Sequence, residues 1–233
     1  MPVTKQFNLK DCEVAAYTAP NFDRLAGAYR WMEWLSFGPL LQRCRCAFLG
    51  ELRTVRRALV LGDGDGRFTE ALLRVNFEVR VDAVDASSAM LRALVERAGA
   101  DGGRVRAIVA DIRSWRPENG DVYDLVVSHF FLDCLTAEEV EALAGSVRLS
   151  LVRRGLTEGA QWVVSDFAVP EGWAGRLAGR LLVGFLYRAF GVLTGLRIRR
   201  LPDHAAALKS AGFVMERRRE MLFGLLFSEV WRG

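Results

Sequence analysis

Along most of this chain, short apolar runs bounded by polar or glycine positions alternate with stretches in which apolar residues recur at helical spacing. The runs at 57–62 (RALVLG), 78–85 (EVRVDAVD), 104–111 (RVRAIVAD), 123–129 (YDLVVSH) and 160–167 (AQWVVSDF) predict strands. Helical stretches fill the gaps between them, and this alternation predicts an α/β fold with a parallel sheet covered on both faces. Two further runs, 213–219 and 224–231, follow each other too closely for a crossover helix, so they are expected to pair antiparallel. Thr136 followed three residues later by Glu139 reads as a capping box that opens a helix. No repeat, low-complexity tract or linker interrupts the pattern. One domain over 1–233 is therefore expected, divided into an N-terminal helical cap (1–54), a core (55–170), an apolar and basic insertion (171–203) and a C-terminal helix with its hairpin (204–233).

Composition narrows this only a little. With 233 residues, 51% of them apolar, the chain can bury a sizeable core. The net charge of +4 is carried almost wholly by arginine, lysine occurring only at Lys5, Lys10 and Lys209, which reads as a codon bias and not as a nucleic-acid surface. Cys12, Cys44, Cys46 and Cys134 lack the regularity of a disulfide framework, and one residue between Cys44 and Cys46 is poor metal-ligand spacing. A reduced, cytoplasmic setting without a bound metal is expected. The polar start MPVTKQFNLKDCEV contains no charged segment leading into an apolar one, so no secretory signal is expected.

Ligands of open parallel sheets sit at the carboxyl ends of the strands, which directs attention to ALVLGDGDGRF at 58–68. Gly62, Gly64 and Gly66 permit a tight turn and a close approach, and the following helix is expected to point its first amides into the crevice. Asp85 closes the second strand, where a carboxylate can accept hydrogen bonds from a ribose diol. Asp111 closes the third, within reach of an adenine amino group. Arg67 stands where a G-x-G-x-x-G fingerprint requires glycine, and no G-x-x-x-x-G-K-[ST] occurs, which argues against a nicotinamide dinucleotide and a nucleoside triphosphate.

With these residues in place the chain resembles the class I S-adenosylmethionine-dependent methyltransferases. The matching stretches are ALVLGDGDGRF, VDAVDASSAMLRALVERA, VRAIVADIRSW, YDLVVSHFFLDCL and HAAALKSAGF, in the family's order over about residues 55–231. The resemblance implies a Rossmann-like, seven-stranded, mostly parallel sheet ending in an antiparallel hairpin, with S-adenosyl-L-methionine as cofactor. It implies cofactor contacts from Gly62, Asp63, Gly64, Asp65, Gly66, Asp85, Ala86, Asp111, Ile112 and Ser128. The cofactor's ammonium and sulfonium make acids in the loop more tolerable than they are beside a pyrophosphate. The family carries an acid two residues before the first glycine, where this chain has Val60. Either Asp63 faces the amino-acid end in its place, with Asp65 shaping the loop, or one of the two caps the following helix. Aminopropyltransferases share a similar loop, but they place an acid for the amine after the fourth strand, where SHFFLDCL offers only Asp133.

On the acceptor side, alignment and exclusion of water dominate methyl transfer. His129, closing the fourth strand, is the candidate base or orienting group, with Asp133 holding the imidazole or meeting the substrate; a structural histidine is the alternative. His204, the other histidine of the chain, begins the helix after the insertion. One of Phe130 and Phe131 faces the acceptor or the sulfonium, or both pack in the core. The stretch at 21–38 resembles the opening segment of the ubiquinone and menaquinone C-methyltransferases through Phe22, Asp23, Leu25, Ala26, Tyr29, Ser36 and Gly38, although Arg30 replaces that family's acid. By this resemblance Tyr29 helps enclose the cofactor's amino-acid end; plain helix packing of Tyr29, Trp31 and Trp34 is the alternative.

Residues 172–202 hold Arg176, Arg180, Arg188, Arg197, Arg199 and Arg200 and no acid. The apolar run from Leu181 to Leu196, broken by Arg188, is shorter than the ~20 residues that span a bilayer. It reads either as an amphipathic helix on an anionic membrane surface or as a lid. The expected activity is methyl transfer to a small lipophilic acceptor, a quinol, phenol or isoprenoid-linked compound. The alternatives are a soluble O- or N-methyl acceptor, or a protein that keeps the fold without transfer. A nucleic-acid substrate is not expected, since no N-P-P-[YF] motif or recognition module is present. The sequence leaves the oligomeric state open.

Overall fold

The structure is a computed structural model that describes residues 39–117, 122–152, 160–168 and 203–233. Helix α1 (Pro39–Arg45) precedes the nucleotide-type alternation of β1 (Arg57–Leu61), α2 (Arg67–Val75), β2 (Arg80–Asp85), α3 (Ser88–Ala98), β3 (Val105–Val109), β4 (Leu125–His129), α4 (Ala137–Val152) and β5 (Gln161–Phe167). Helix α5 (His204–Ser210) then leads into the hairpin of β6 (Val214–Met221) and β7 (Leu226–Arg232). The seven strands form one sheet in the order β3-β2-β1-β4-β5-β7-β6. The first five run parallel to one another. Strand β7 lies antiparallel between β5 and β6. The expected α/β class, the seven strands and the closing antiparallel pair are all present.

Both faces of the central strands are dry, which explains their continuous apolar runs. Leu59, Leu61, Val126, Trp162 and Val164 pack on one face with Val140, Leu143 and Val147 of α4 and Leu208 of α5. Ala58, Val60, Val127 and Val163 pack on the other with Phe68, Leu72 and Leu73 of α2 and Leu91 and Leu94 of α3. The capping box forms: Glu139 Oε2 accepts from the Thr136 amide at 2.8 Å and Thr136 Oγ1 from the Glu139 amide at 3.3 Å. Ser87 Oγ caps α3 by accepting from the Met90 amide at 3.2 Å, and Asp203 caps α5 at Ala206 at 2.9 Å.

The five parallel strands are each shorter than the sequence predicts, and in β2 and β3 the difference bears on the site. β2 starts at Arg80 and not at 78, because Asn76 Oδ1 takes the amides of Glu78 and Val79, each at 3.0 Å, and turns the chain before the ladder begins. β3 ends at Val109, so Asp111 belongs to the turn that follows and not to the strand.

An ionic network buried in the sheet was not legible in advance. Asp82, in the middle of β2, is 4% exposed. It accepts from Arg106 Nε and Nη2 at 3.0 and 2.8 Å, from Arg57 Nη2 at 3.1 Å and from the Tyr123 hydroxyl at 2.8 Å. The outermost strand, β6, is almost wholly exposed and carries Arg217, Arg218 and Arg219. Strand order reverses between β1 and β4, so the crevice that holds ligands in such sheets opens where the loops after these strands leave their carboxyl ends. Among the described residues no helix is long and apolar enough to cross a membrane. The first 38 residues of the N-terminal cap, including Tyr29, and residues 171–202 of the insertion lie outside the described residues.

Candidate active site

The loop after β1 has all three glycines at positive φ, +66° at Gly62, +60° at Gly64 and +81° at Gly66. At Gly66 a Cβ would lie 2.5 Å from Leu94, so glycine is needed there to seat α3 against the loop. At Gly64 a Cβ would meet nothing nearer than Met90 Sδ at 4.0 Å. That face of the backbone is open. Over Gly62 lies the ring of Phe131, close enough that a Cβ would meet it at 2.2 Å.

The two acids of the loop do different work. Asp63 turns back onto α2: its carboxylate accepts from the Thr69 amide at 2.8 Å, the Thr69 hydroxyl at 2.7 Å and the Phe68 amide at 3.3 Å. Burial pushes this carboxyl up to about 6, against the lowering effect of the Thr69 bonds and of the Arg45 guanidinium. The expectation that the first amides of α2 open into the crevice is therefore corrected, because the protein's own carboxylate already takes two of them. Asp65 fastens the loop to α3, with Oδ2 accepting from Arg97 Nη2 at 2.7 Å and Arg67 Nε at 3.3 Å. The backbone carbonyl of Asp65 takes Arg97 Nε at 2.8 Å.

Asp85, at the end of β2, accepts from the Ser87 amide at 2.8 Å. Burial raises its pKa, and hydrogen bonds from the backbone of Ser87, Gly64 and Ala86 oppose the rise. It thus sits between the glycine loop and α3, with Ala86 exposed beside it. Its carbonyl accepts from the Ala110 amide at 3.0 Å, which draws the third strand's end to the same rim. Asp111 accepts from the Arg113 amide at 2.9 Å and pairs with Arg113 Nη1 at 3.4 Å. Ile112 is buried in the core beside Val84.

At the end of β4 the side chains diverge. Ser128 is 1% exposed and its hydroxyl accepts from the Trp162 indole at 2.9 Å, so that side chain belongs to the interior. His129 faces the other side of the sheet. It is 4% exposed, lies edge-on to Phe68 with 4.6 Å between ring centres, and has no hydrogen-bond partner on Nδ1 or Nε2 among the described residues. Burial, assisted by Arg45, holds the imidazole well below its ordinary pKa, and it stays neutral. Asp133 does not hold this ring. It lies in the Leu132–Cys134 turn beside Asp166, whose carboxyl feels its charge. Phe130 takes a left-handed φ of +53° and packs on Phe167 at 5.0 Å and under the Arg45 guanidinium at 5.2 Å.

A second feature escaped the sequence pattern. At the carboxyl end of β5 a cavity of about 250 Å³ is lined by Leu132, Asp166, Phe167, His204, Arg218 and Phe227, among others. Asp166 stands one residue before the end of β5, near where Asp85 stands in β2, which was the available signal. His204 meets Glu229 of β7 at 3.0 Å, a contact visible only once β7 is known to lie beside β5.

Residues 58–155 match the family model described as a methyltransferase domain. Among solved structures, the chain is similar to an O-methyltransferase family protein from Burkholderia thailandensis, with a TM-score of 0.69 and 16% identity over 90% of this chain and 60% of that one. It is similar to an O-methyltransferase family 2 protein from Planctomyces limnophilus in complex with apigenin, with a TM-score of 0.64 and 16% identity over 88% of this chain and 61% of that one. It is also similar to the N,N-8-amino-8-demethyl-D-riboflavin dimethyltransferase from Streptomyces davawensis, with a TM-score of 0.63 and 17% identity over 92% and 62%. At these identities the likeness is one of fold, and the chain spans about 60% of the length of each of the three proteins. No curated protein sequence matches the chain significantly.

Proposed function

We propose that this chain binds S-adenosylmethionine over Gly62–Gly66 and transfers its methyl group to a small-molecule acceptor. The observation that carries this reading is the position of Asp63. A helix N-terminus after a glycine loop ordinarily receives phosphate, and here a carboxylate fills that place. A pyrophosphate brought to the same loop meets a negative charge where it needs amides. A cofactor with a cationic amino-acid end meets an attractive one. The methyltransferase-domain match over 58–155 and the fold of the similar proteins support the same choice.

The remaining residues fit this ligand. The open face of Gly64 admits the close approach of a nucleoside, and the Asp85 carboxylate beside it is the group that accepts from the ribose hydroxyls. Ala86 leaves the rim uncrowded, and Asp111 with the Ile112 backbone borders the adenine. Bound there, the cofactor supplies a methyl group on a sulfonium. The protein's own task is to aim the acceptor at it and keep water out. His129 remains a neutral imidazole, with one nitrogen to donate a hydrogen bond and one to accept. Its depressed pKa makes it a weak proton acceptor, so it serves better as an orienting group than as a general base.

We further hold the acceptor to be lipophilic, with kinship to the quinone C-methyltransferases and contact with a membrane surface through 172–202. These readings rest on residues outside the described part of the chain. The proposal is tested by calorimetry with S-adenosylmethionine, S-adenosylhomocysteine and NADH, followed by incubation of labelled cofactor with a lipid extract. Binding of both sulfur nucleosides and label in the extract support it. NADH binding without either of them overturns it.

A further inference from the structure

The cavity at the end of β5 lies on the same edge of the sheet as the glycine loop. In the order β1-β4-β5 it is two strands away, and strands are about 4.8 Å apart, so it lies roughly 10 Å from the loop. That is a distance one small molecule can bridge, with one end near the cofactor and the other in the cavity. A cavity of about 150 Å³ is known to hold benzene. The volume here, about 250 Å³, therefore has room for a ring with a short side chain.

The charges around the cavity are unevenly settled. Glu229, 1% exposed, receives hydrogen bonds from Trp231 Nε1 at 2.9 Å and Arg218 Nη1 at 2.6 Å, and its Oε2 is 3.0 Å from His204 Nε2. Burial raises its pKa, but these partners together hold it below the ordinary glutamate value. The basic groups of the wall, His204 and Arg218, are thereby engaged by Glu229, and Arg218 Nε also donates to Glu220 at 2.9 Å. Asp203 uses its carboxylate to cap α5. Asp166 has no cation to settle it among the described residues. It is 4% exposed, it accepts from the Phe167 amide at 2.8 Å and from the Asp133 backbone, and it forms no salt bridge among the described residues. Burial and the nearby carboxylates of Asp133 and Glu229 push it well above the usual carboxylate range. Among the described residues of the wall, an anionic ligand group would meet this excess of acids with no cation that lacks an acid partner. A cationic one would supply the missing charge.

Resting on the methyltransferase reading, we propose that this cavity recognises an ammonium group of the methyl acceptor, with Asp166 as the carboxylate that receives it. The acceptor is then an amine on a small, largely apolar body, seated against Leu132, Phe167 and Phe227, whichever of its atoms takes the methyl group. Asp166 is a specificity-determining residue, and it ionises when the ligand's charge arrives.

The test uses the full chain loaded with S-adenosylhomocysteine and three probes with one body: tyramine, its alcohol analogue 4-hydroxyphenethyl alcohol, and 4-hydroxyphenylacetate. In calorimetry tyramine binds at least tenfold more tightly than the alcohol, and the carboxylate does not bind. Comparison of buffers with different ionisation enthalpies shows a proton released on tyramine binding only. Asp166→Asn loses tenfold or more for tyramine and the proton release, with affinity for the alcohol and for S-adenosylhomocysteine unchanged. Equal binding of the three probes, no binding of tyramine, or a variant that weakens amine and alcohol alike overturns the inference. If S-adenosylhomocysteine itself fails to bind, the methyl-donor reading falls. The amine preference is then still measurable on the unloaded chain.

Discussion

Asp63 and Asp166 are both aspartates at the carboxyl edge of the sheet, and burial drives the pKa of each upward, yet the two regions handle the charge differently. Around the glycine loop the charge is absorbed by the fold: two amides and a hydroxyl of α2 close on Asp63. At the end of β5 His204 and Arg218 are committed to Glu229, and Asp166, which accepts only from backbone, forms no salt bridge among the described residues. An acid that completes a helix shapes a site, whereas one left unmatched beside a cavity selects what enters it.

Mutations separate these roles, and the largest effect is expected at a third acid that belongs to neither region. Asp82→Ala strands Arg57, Arg106 and the Tyr123 hydroxyl, and should lower unfolding stability by about 3 kcal/mol in urea titrations. This is the low end of the range for buried pairs, because both arginine heads are partly solvated. Asp63→Ala removes the cap of α2 and should cost about 1–2 kcal/mol by the same measurement, together with at least tenfold in S-adenosylhomocysteine affinity. Asp166→Asn, by contrast, should leave stability at neutral pH undiminished, since it removes a buried carboxyl that burial disfavours. Gly64→Ala forces an alanine into a left-handed conformation, costing about 1 kcal/mol. It also covers the open face, so calorimetry should show binding weakened by more than stability.

The pH response has a definite sign. Asp63 titrates at about 6 in the folded protein against 3.8 as an ordinary aspartate, so the folded state holds this proton more tightly. The share of stability linked to this proton, separate from the cap on α2, is fully present below about pH 4 and is lost as the pH rises through about 6. Cofactor affinity should run the opposite way, falling as the pH drops through 6 and the carboxylate loses its charge. Asp63→Asn should flatten both profiles in that window, measured by thermal melts and calorimetry. The smallest effect is expected at Ser128→Ala, which leaves the Trp162 indole unsatisfied for about 1 kcal/mol but should not change cofactor affinity.

The strands, the hairpin, the capping box and the glycine loop were legible because each is written in a local run of residues: alternation, a short connection, a spacing of three. The fates of the acids were not. Whether Asp63 meets a ligand or Thr69 depends on how tightly the turn closes, and the sequence is the same in either case. Asp82 draws partners from three separate segments, so no window of sequence contains its network. Ser128 looked available at a strand end, but the side of the sheet it faces was set by the register of β4 against β5, where Trp162 waits. The Asp166 cavity required knowing that β7 slots between β5 and β6, which brings Glu229 and Phe227 to that edge.

The arginine triplet of the outermost strand has a consequence for the protein's company. A sheet margin with vacant hydrogen-bonding positions invites other chains to extend it into a fibre. Here the would-be neighbour, if another copy, must bring its own Arg217, Arg218 and Arg219 against an identical row. Burying that row of charged side chains, with Glu216 and Glu220 among them, discourages stacking even in a crowded solution.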